Sequence, residues 1–155
     1  APLGEGLSQL AYSLCWVGDG EGARSRLGPV VIAGPEAAPT VCSRWEDCVL
    51  QVTSQGIDLT GSGVTVRDAG DSCSSDSPVP LSGSASAAEA ALGNELLPGE
   101  YAGCWVMNPS IPPVDLGLIE VQGPLDFTAS CLAGTTCTIQ VPGHGLSGAP
   151  VVTLS

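Results

Sequence analysis

The sequence predicts an all-β protein made of two tandem, small immunoglobulin-like β-sandwich modules. Three observations lead to this prediction: short apolar runs alternate with turn residues, small β-forming residues dominate, and one cysteine pattern occurs twice. The 155 residues include 21 Gly and 13 Pro, whereas Lys and Arg together number four. Frequent Gly and Pro between short Val- and Thr-containing runs are typical of strands and turns. Long helices would need straight-chain residues that are scarce here.

The cysteines define an internal repeat with a period of 89 residues. Cys15, Cys42 and Cys48 align with Cys104, Cys131 and Cys137 without a gap. The hexapeptides "YSLCWV" at 12–17 and "YAGCWV" at 101–106 align in the same frame. Low complexity alone would not align two Cys-Trp pairs and two C-x5-C loops, so the sequence indicates a duplication.

The repeat predicts two modules and a linker. Module one is expected at residues 1–83 with a Ser/Pro-rich end, the linker at 84–95, and module two at 96–155. The linker has helical propensity and is expected to contain at most a turn of helix. Cys73 of module one has no aligned partner among the 155 residues. Module two is therefore expected to lack its last segment.

Short strands are expected in the same order in both modules. Each apolar run is bounded by Gly, Pro or a C-x5-C loop, as strands separated by turns require. In module one the runs are "LAYSLCWV", "LGPVVIAG", "PTVC", "CVLQVTS" and "GSGVTVRD"; in module two the later ones are "FTASC", "CTIQVPG" and "APVVTLS".

Seven cysteines predict disulfides and an extracellular or cell-surface location. The four cysteines of module one allow three pairings. The favoured pairing is Cys42–Cys48 with Cys15–Cys73, which would join the first strand to the last. The repeat adds Cys131–Cys137 and leaves Cys104 unpaired, or available for an intermolecular bridge.

Aromatic residues divide into a predicted core set and one predicted contact residue. Trp16 and Trp105 each follow a cysteine, and large rings beside a half-cystine most often pack into the core. The nearby Tyr12 and Tyr101 are assigned to the core with them. Trp45 lies inside the first C-x5-C loop, where the second copy has Gly134. It is expected to be exposed on a contact surface.

Charge and motif content exclude several classes of function. A net charge of −12 without any lysine argues against nucleic acid and anionic membranes as partners. No apolar run approaches the ~18 residues of a membrane span. A catalytic Cys104 would need a base, but the only histidine, His144, aligns with Gln55. No enzyme and no catalytic residue is predicted.

Cofactors and modifications give weaker signals. The acidic loops at 18–22 and 45–48 leave calcium as a minor alternative to no cofactor. Their carboxylates are not repeated in the second copy, so solvated loops are favoured. The Ser/Pro-rich stretch at 72–86 is a candidate for O-linked glycans on composition alone.

The segment "LLPGEYAGCWV" at 96–106, the pair Gly123-Pro124 and the loop 131–137 resemble a repeat of large extracellular proteins of protists, chiefly alveolates and algae. In those repeats an L-P-x-G-x-Y-x-x-C-W/Y strand precedes a Gly-Pro turn and a C-x5-C loop. Here Pro98 and Gly99 are adjacent, and module one lacks the Pro-Gly pair altogether. The resemblance implies surface or matrix modules without enzymatic activity.

The predicted function is an extracellular structural repeat protein. It would assemble head to tail into a filament or surface layer, because an incomplete β module leaves edges that accept a strand from another copy. The alternative is a cell-surface adhesion or carbohydrate-binding module with Trp45 on its contact surface.

Overall fold

The computed structural model describes residues 11–17, 24–108, 110–148 and 150–154. Every regular element in these ranges is a β-strand, as the composition predicts, and no helix occurs among them. In chain order the strands are β1 Ala11–Val17, β2 Arg24–Val31, β3 Gly34–Ala37, β4 Thr40–Ser43, β5 Cys48–Gln55, β6 Gly63–Asp68, β7 Val79–Pro80, β8 Ser82–Gly83, β9 Ala87–Gly93, β10 Gly99–Val106, β11 Val114–Pro124, β12 Cys137–Gln140, β13 Gly143–His144 and β14 Val151–Leu154.

Strands β3 to β11, here called the central unit, form two sheets that share one core, and β13 extends the first of these sheets. The first sheet has the order β13-β11-β10-β6-β7, with β4 parallel to β11; the second has the order β3-β5-β9-β8. Alternate residues of β5 point inward, so Leu50 and Val52 are buried while their neighbours are exposed. They pack with buried residues of the other sheet, including Val64, Trp105 and Ile119.

The predicted linker at 84–95 is wrong, because its residues 87–93 form β9 inside the second sheet. Ala88 and Ala90 are buried, whereas Ala87, Glu89 and Ala91 are exposed. As a strand, β9 forms backbone hydrogen bonds with β5 along one edge and packs its alternate alanines into the core. These interactions outweigh the helical propensity of alanine.

The predicted boundary between two separate modules does not separate two cores. β6, from the first predicted module, pairs antiparallel with β10, from the second. β4, from the first predicted module, also pairs with β11, from the second, and this pair is parallel. The central unit therefore takes strands from both predicted modules.

Two further strand pairs form separate two-stranded sheets outside the two sheets of the central unit. β1 and β2 form a two-stranded sheet, here called the first hairpin, and β12 pairs with β14. The first hairpin has the same register as β10–β11: Tyr12 faces Val30 as Tyr101 faces Ile119. The register shift after Leu14 matches the shift after Gly103. The backbone pairing thus follows the 89-residue alignment.

Candidate interaction surfaces

The described residues contain three disulfides. Both predicted loop disulfides, Cys42–Cys48 and Cys131–Cys137, are present. The prediction for the long-range pair is wrong, because Cys73 bonds Cys104 with their Cα atoms 5.7 Å apart. Cys15 is an exposed free thiol, and Cys104, expected to be unpaired, is buried. The reason is the placement of β10 beside β6, which brings Cys104 next to the loop after β6.

Of the aromatic residues predicted to lie in the core, Trp105 lies in it and Tyr101 packs against it. Trp105 is buried, and its indole Nε1 donates a hydrogen bond to the Oγ of Ser62 at 2.8 Å. Tyr101 is half-buried against the core, and its hydroxyl donates to the carbonyl oxygen of Leu97 at 2.8 Å. Tyr12 is half-buried on the first hairpin. The side chain of Trp16 lies outside the described residues.

Trp45 is exposed, as predicted for a contact residue, with 65% of its surface accessible. Its ring lies 4.6 Å from the guanidinium carbon of Arg44, a cation–π distance. Arg44 itself is nearly covered: it donates to the carbonyl oxygen of Pro124 and forms an ion pair with Asp126 at 2.6 Å. Sequence reasoning missed Arg44. The residue before a loop tryptophan was the available signal, because a neighbouring cation can stack on its ring.

The backbone of Trp45 has a left-handed conformation, with φ of 68°. The aligned Gly134 has φ of 79°. Both C-x5-C loops therefore turn in the same way, although only glycine takes this conformation without steric cost. The first loop holds a large aromatic side chain at a position that favours glycine, and such strain is common at functional positions.

The polar groups considered for catalysis or metal binding do not converge in the structure. Glu46 and Asp47 are adjacent and exposed on the first loop. The Nε2 of His144 lies 3.4 Å from the Oε1 of Glu120, between β13 and β11. The buried Cys104 is held in its disulfide. Across the described ranges, no group of three or more His, Cys, Asp or Glu side chains could hold a metal ion. The acidic loop at 18–22 lies outside these ranges.

One carboxyl has a pKa displaced for a structural reason. Hydrogen bonds from the side chain and then the backbone N–H of Thr60 lower the pKa of Asp58. The Asp58 Oδ1 accepts both, at 2.5 and 2.8 Å, in the turn before β6. This arrangement fixes a turn.

A second surface is the apolar face of the first hairpin. Leu27 is 61% exposed, whereas the aligned Leu116 of β11 is 8% exposed. Cys15 is exposed, whereas Cys104 is fully buried. Among the described strands, β1 and β2 pair only with each other. The hairpin therefore exposes positions that the central unit covers.

The segment at residues 125–154 exposes a complementary set of positions. Leu154 of β14 is 54% exposed, whereas the aligned Thr65 of β6 is 4% exposed. An open groove beside β12 is lined by residues including Phe127, Val141 and Leu146. Val141 aligns with Val52 and Leu146 with Ile57, which both belong to the core or pack against it in the central unit.

Comparisons with known proteins leave the family open. No protein-family model matches this chain, and no curated protein matches it. In the described ranges, no helical segment has the length and hydropathy to cross a bilayer. The fold and surface geometry therefore carry the functional argument.

Proposed function

We propose that this chain is an extracellular structural repeat protein that builds a filament or surface assembly. It consists of immunoglobulin-like β-sandwich units that recur every 89 residues and are stapled by disulfides. The resemblance to protist surface repeats belongs to the same proposal. Three disulfides in a small all-β chain support the extracellular location.

The observation that carries this proposal is the first hairpin. It has the register of β10–β11, yet among the described residues no strand flanks it as β6 and β4 flank that pair in the central unit. Unpaired sheet edges with exposed apolar side chains are templates for pairing with another chain. A structural building block needs such edges, whereas a monomeric module normally covers them.

Negative-stain electron microscopy of the native, unreduced protein over a range of concentrations tests this proposal. A structural subunit forms regular fibres or sheets whose spacing corresponds to one or two units. The control is the same protein after reduction, which should lose this regularity because the units are stapled by disulfides. Dispersed monomers at every concentration would reject the proposal.

A second candidate function is adhesion or carbohydrate binding through Trp45. The observation in its favour is an exposed indole, stacked on Arg44 and held in a conformation that favours glycine. Flat aromatic faces are effective contact groups. Trp45→Gly is the informative variant, since it removes the ring and suits the left-handed backbone. Binding on a glycan array should disappear in this variant and persist in Val41→Ala, which alters another exposed residue nearby.

A further inference from the structure

We infer that the first hairpin of one copy completes the sheet begun by residues 125–154 of a second copy. This inference rests on the proposed function, because it names the surfaces through which the copies join. The contact is head to tail and uses different surfaces on the two partners. Such a contact can propagate into an open fibre.

The central unit supplies the geometry of this contact. There, the β10–β11 hairpin has a strand on each side: β6 is antiparallel to β10, and β4 is parallel to β11. A shift of 89 residues converts β10–β11 into the first hairpin. The same shift converts β4 into residues 129–132, and Gly63–Thr65 of β6 into Val152–Leu154 of β14. The chain thus contains the sequence segments of these four strands twice, although residues 129–132 do not form a strand in this structure.

The two sets differ in their pairing. In the first set, all four strands belong to one sheet. In the second set, β1 pairs with β2, and β14 pairs with β12 although the aligned strands β6 and β5 lie in different sheets. The register of the central unit would place Cys15 opposite Leu154 and Val31 opposite Ser130, since Cys104 faces Thr65 and Glu120 faces Val41.

Exposed apolar groups favour this union. Leu27 on the hairpin and Leu154 on β14 are more than half exposed, but their aligned positions are buried in the central unit. The groove at Val141 and Leu146 is open where the aligned Val52 and Ile57 are packed. Covering these aliphatic side chains is favourable because it removes apolar surface from water. Burial of apolar side chains on both surfaces therefore favours the contact between the two copies.

Charge does not oppose another copy of this chain as the occupant. Arg24 and Arg26 of the hairpin are matched by Asp19 and Glu21, which lie between its two strands in the sequence, so the hairpin carries no net charge in a chain whose net charge is −12. The acidic surface of a second copy repels such a neutral element less than it repels the rest of the chain.

The accessibility of the Cys15 thiol provides a measure of the contact between two copies. Cys15 is an exposed free thiol in this structure. Its aligned residue Cys104 is fully buried. Cys15 should therefore lose its accessibility when two copies join.

The test compares Leu27→Arg with Ser25→Arg in the full chain. Both residues are exposed in this structure, so neither variant should disturb folding. They differ at the aligned positions, because Leu116 is buried and Val114 is 37% exposed. Association is followed by sedimentation velocity, and the accessibility of Cys15 by its alkylation rate with iodoacetamide, with Cys15→Ser as the blank.

The wild type and Ser25→Arg should associate, and alkylation of Cys15 should slow about tenfold or more in the associated material. Leu27→Arg should stay monomeric, with Cys15 as reactive as in dilute protein. Assembly of Leu27→Arg like the wild type would overturn this contact while leaving the proposed function standing. A monomeric wild type with a protected Cys15 would mean closure within one chain, and would overturn the second copy as the occupant. A monomeric wild type with a reactive Cys15 would reject both proposals.

Discussion

Trp105 shows how single side chains stabilise the central unit. Its ring fills the core, and its one polar atom is satisfied by the hydroxyl of Ser62, itself only 4% exposed. The same hydroxyl donates to the carbonyl oxygen of Leu59 at 2.6 Å. The sequence predicts the burial of Trp105 from its neighbouring cysteine. It cannot predict Ser62 as the partner, because 43 positions separate the two residues.

Removing this partner should be costly. Ser62→Ala leaves a buried indole N–H without an acceptor, and the free energy of unfolding should fall by about 1–3 kcal/mol. Urea unfolding measured by tryptophan fluorescence gives this value. Ser72→Ala is the matched control, because Ser72 is exposed. Equal stability of the two variants would show that Ser62 is not a significant partner.

At the scale of single elements, β9 shows that tertiary packing can override the intrinsic helix propensity of a segment. Its alanines favour helix in isolation, yet the strand lies between β5 and β8, with Ala90 fully buried and Ala91 exposed. Gln51 Nε2 donates to Glu89 Oε2 at 2.9 Å on the outer face. Residues 87–91 read Ala-Ala-Glu-Ala-Ala, so alanine occupies both buried and exposed positions and the hydropathy of the sequence gives little sign of the alternation.

Charge substitution along β9 tests this placement. Ala90→Glu would bury an unpaired carboxylate and lower the free energy of unfolding by about 3–5 kcal/mol. Ala91→Glu should change it by less than about 0.5 kcal/mol, since the side chain faces solvent. Chemical denaturation of both variants measures the difference. If the two were equally tolerated, residues 87–93 would be the linker that their composition predicts.

The Cys73–Cys104 disulfide ties the loop after β6 to β10. It closes a loop of sequence separation 31, against 6 for Cys42–Cys48. If disulfides stabilise by lowering the entropy of the unfolded chain, the free energy of unfolding should fall by about 3–4 kcal/mol in Cys73→Ala/Cys104→Ala and by about 2 kcal/mol in Cys42→Ala/Cys48→Ala. Denaturant titration ranks the two variants. The reverse order would contradict the long-range pairing.

At the scale of the whole molecule, the sequence predicts the strands better than it predicts the units. The runs at Ala11–Val17, Cys48–Gln55 and Gly63–Asp68 are strands, as their composition and turn signals indicate. A period of 89 residues, however, has no defined starting point. A frame that begins at Gly34 would have held four cysteines that pair completely, including Cys73 with Cys104. Counting cysteines does not select this frame, because residues 1–89 also contain four; the long-range pairing depends on β10 lying beside β6.

Long-range charge also acts at this scale. Arg26→Glu reverses an exposed charge on β2 and takes the net charge of the chain from −12 to −14, so it should weaken association of the copies about tenfold at low salt. Because the effect is electrostatic, the difference from wild type should shrink at about 0.5 M NaCl, where screening is strong. Dissociation constants from sedimentation at the two salt concentrations check this. A difference that persists in high salt would point to packing instead of charge.

Cross-linking in trans tests the head-to-tail contact most directly. Two full-length variants, Val31→Cys and Ser130→Cys, each also carrying Cys15→Ser, are mixed, oxidised mildly and mapped by mass spectrometry. The account predicts a disulfide between the two introduced thiols, joining position 31 of one chain to position 130 of another. It also predicts little of this product when Thr128→Cys, two residues out of register, replaces Ser130→Cys. Equal cross-linking with both partners, or none with either, would contradict the joined sheet.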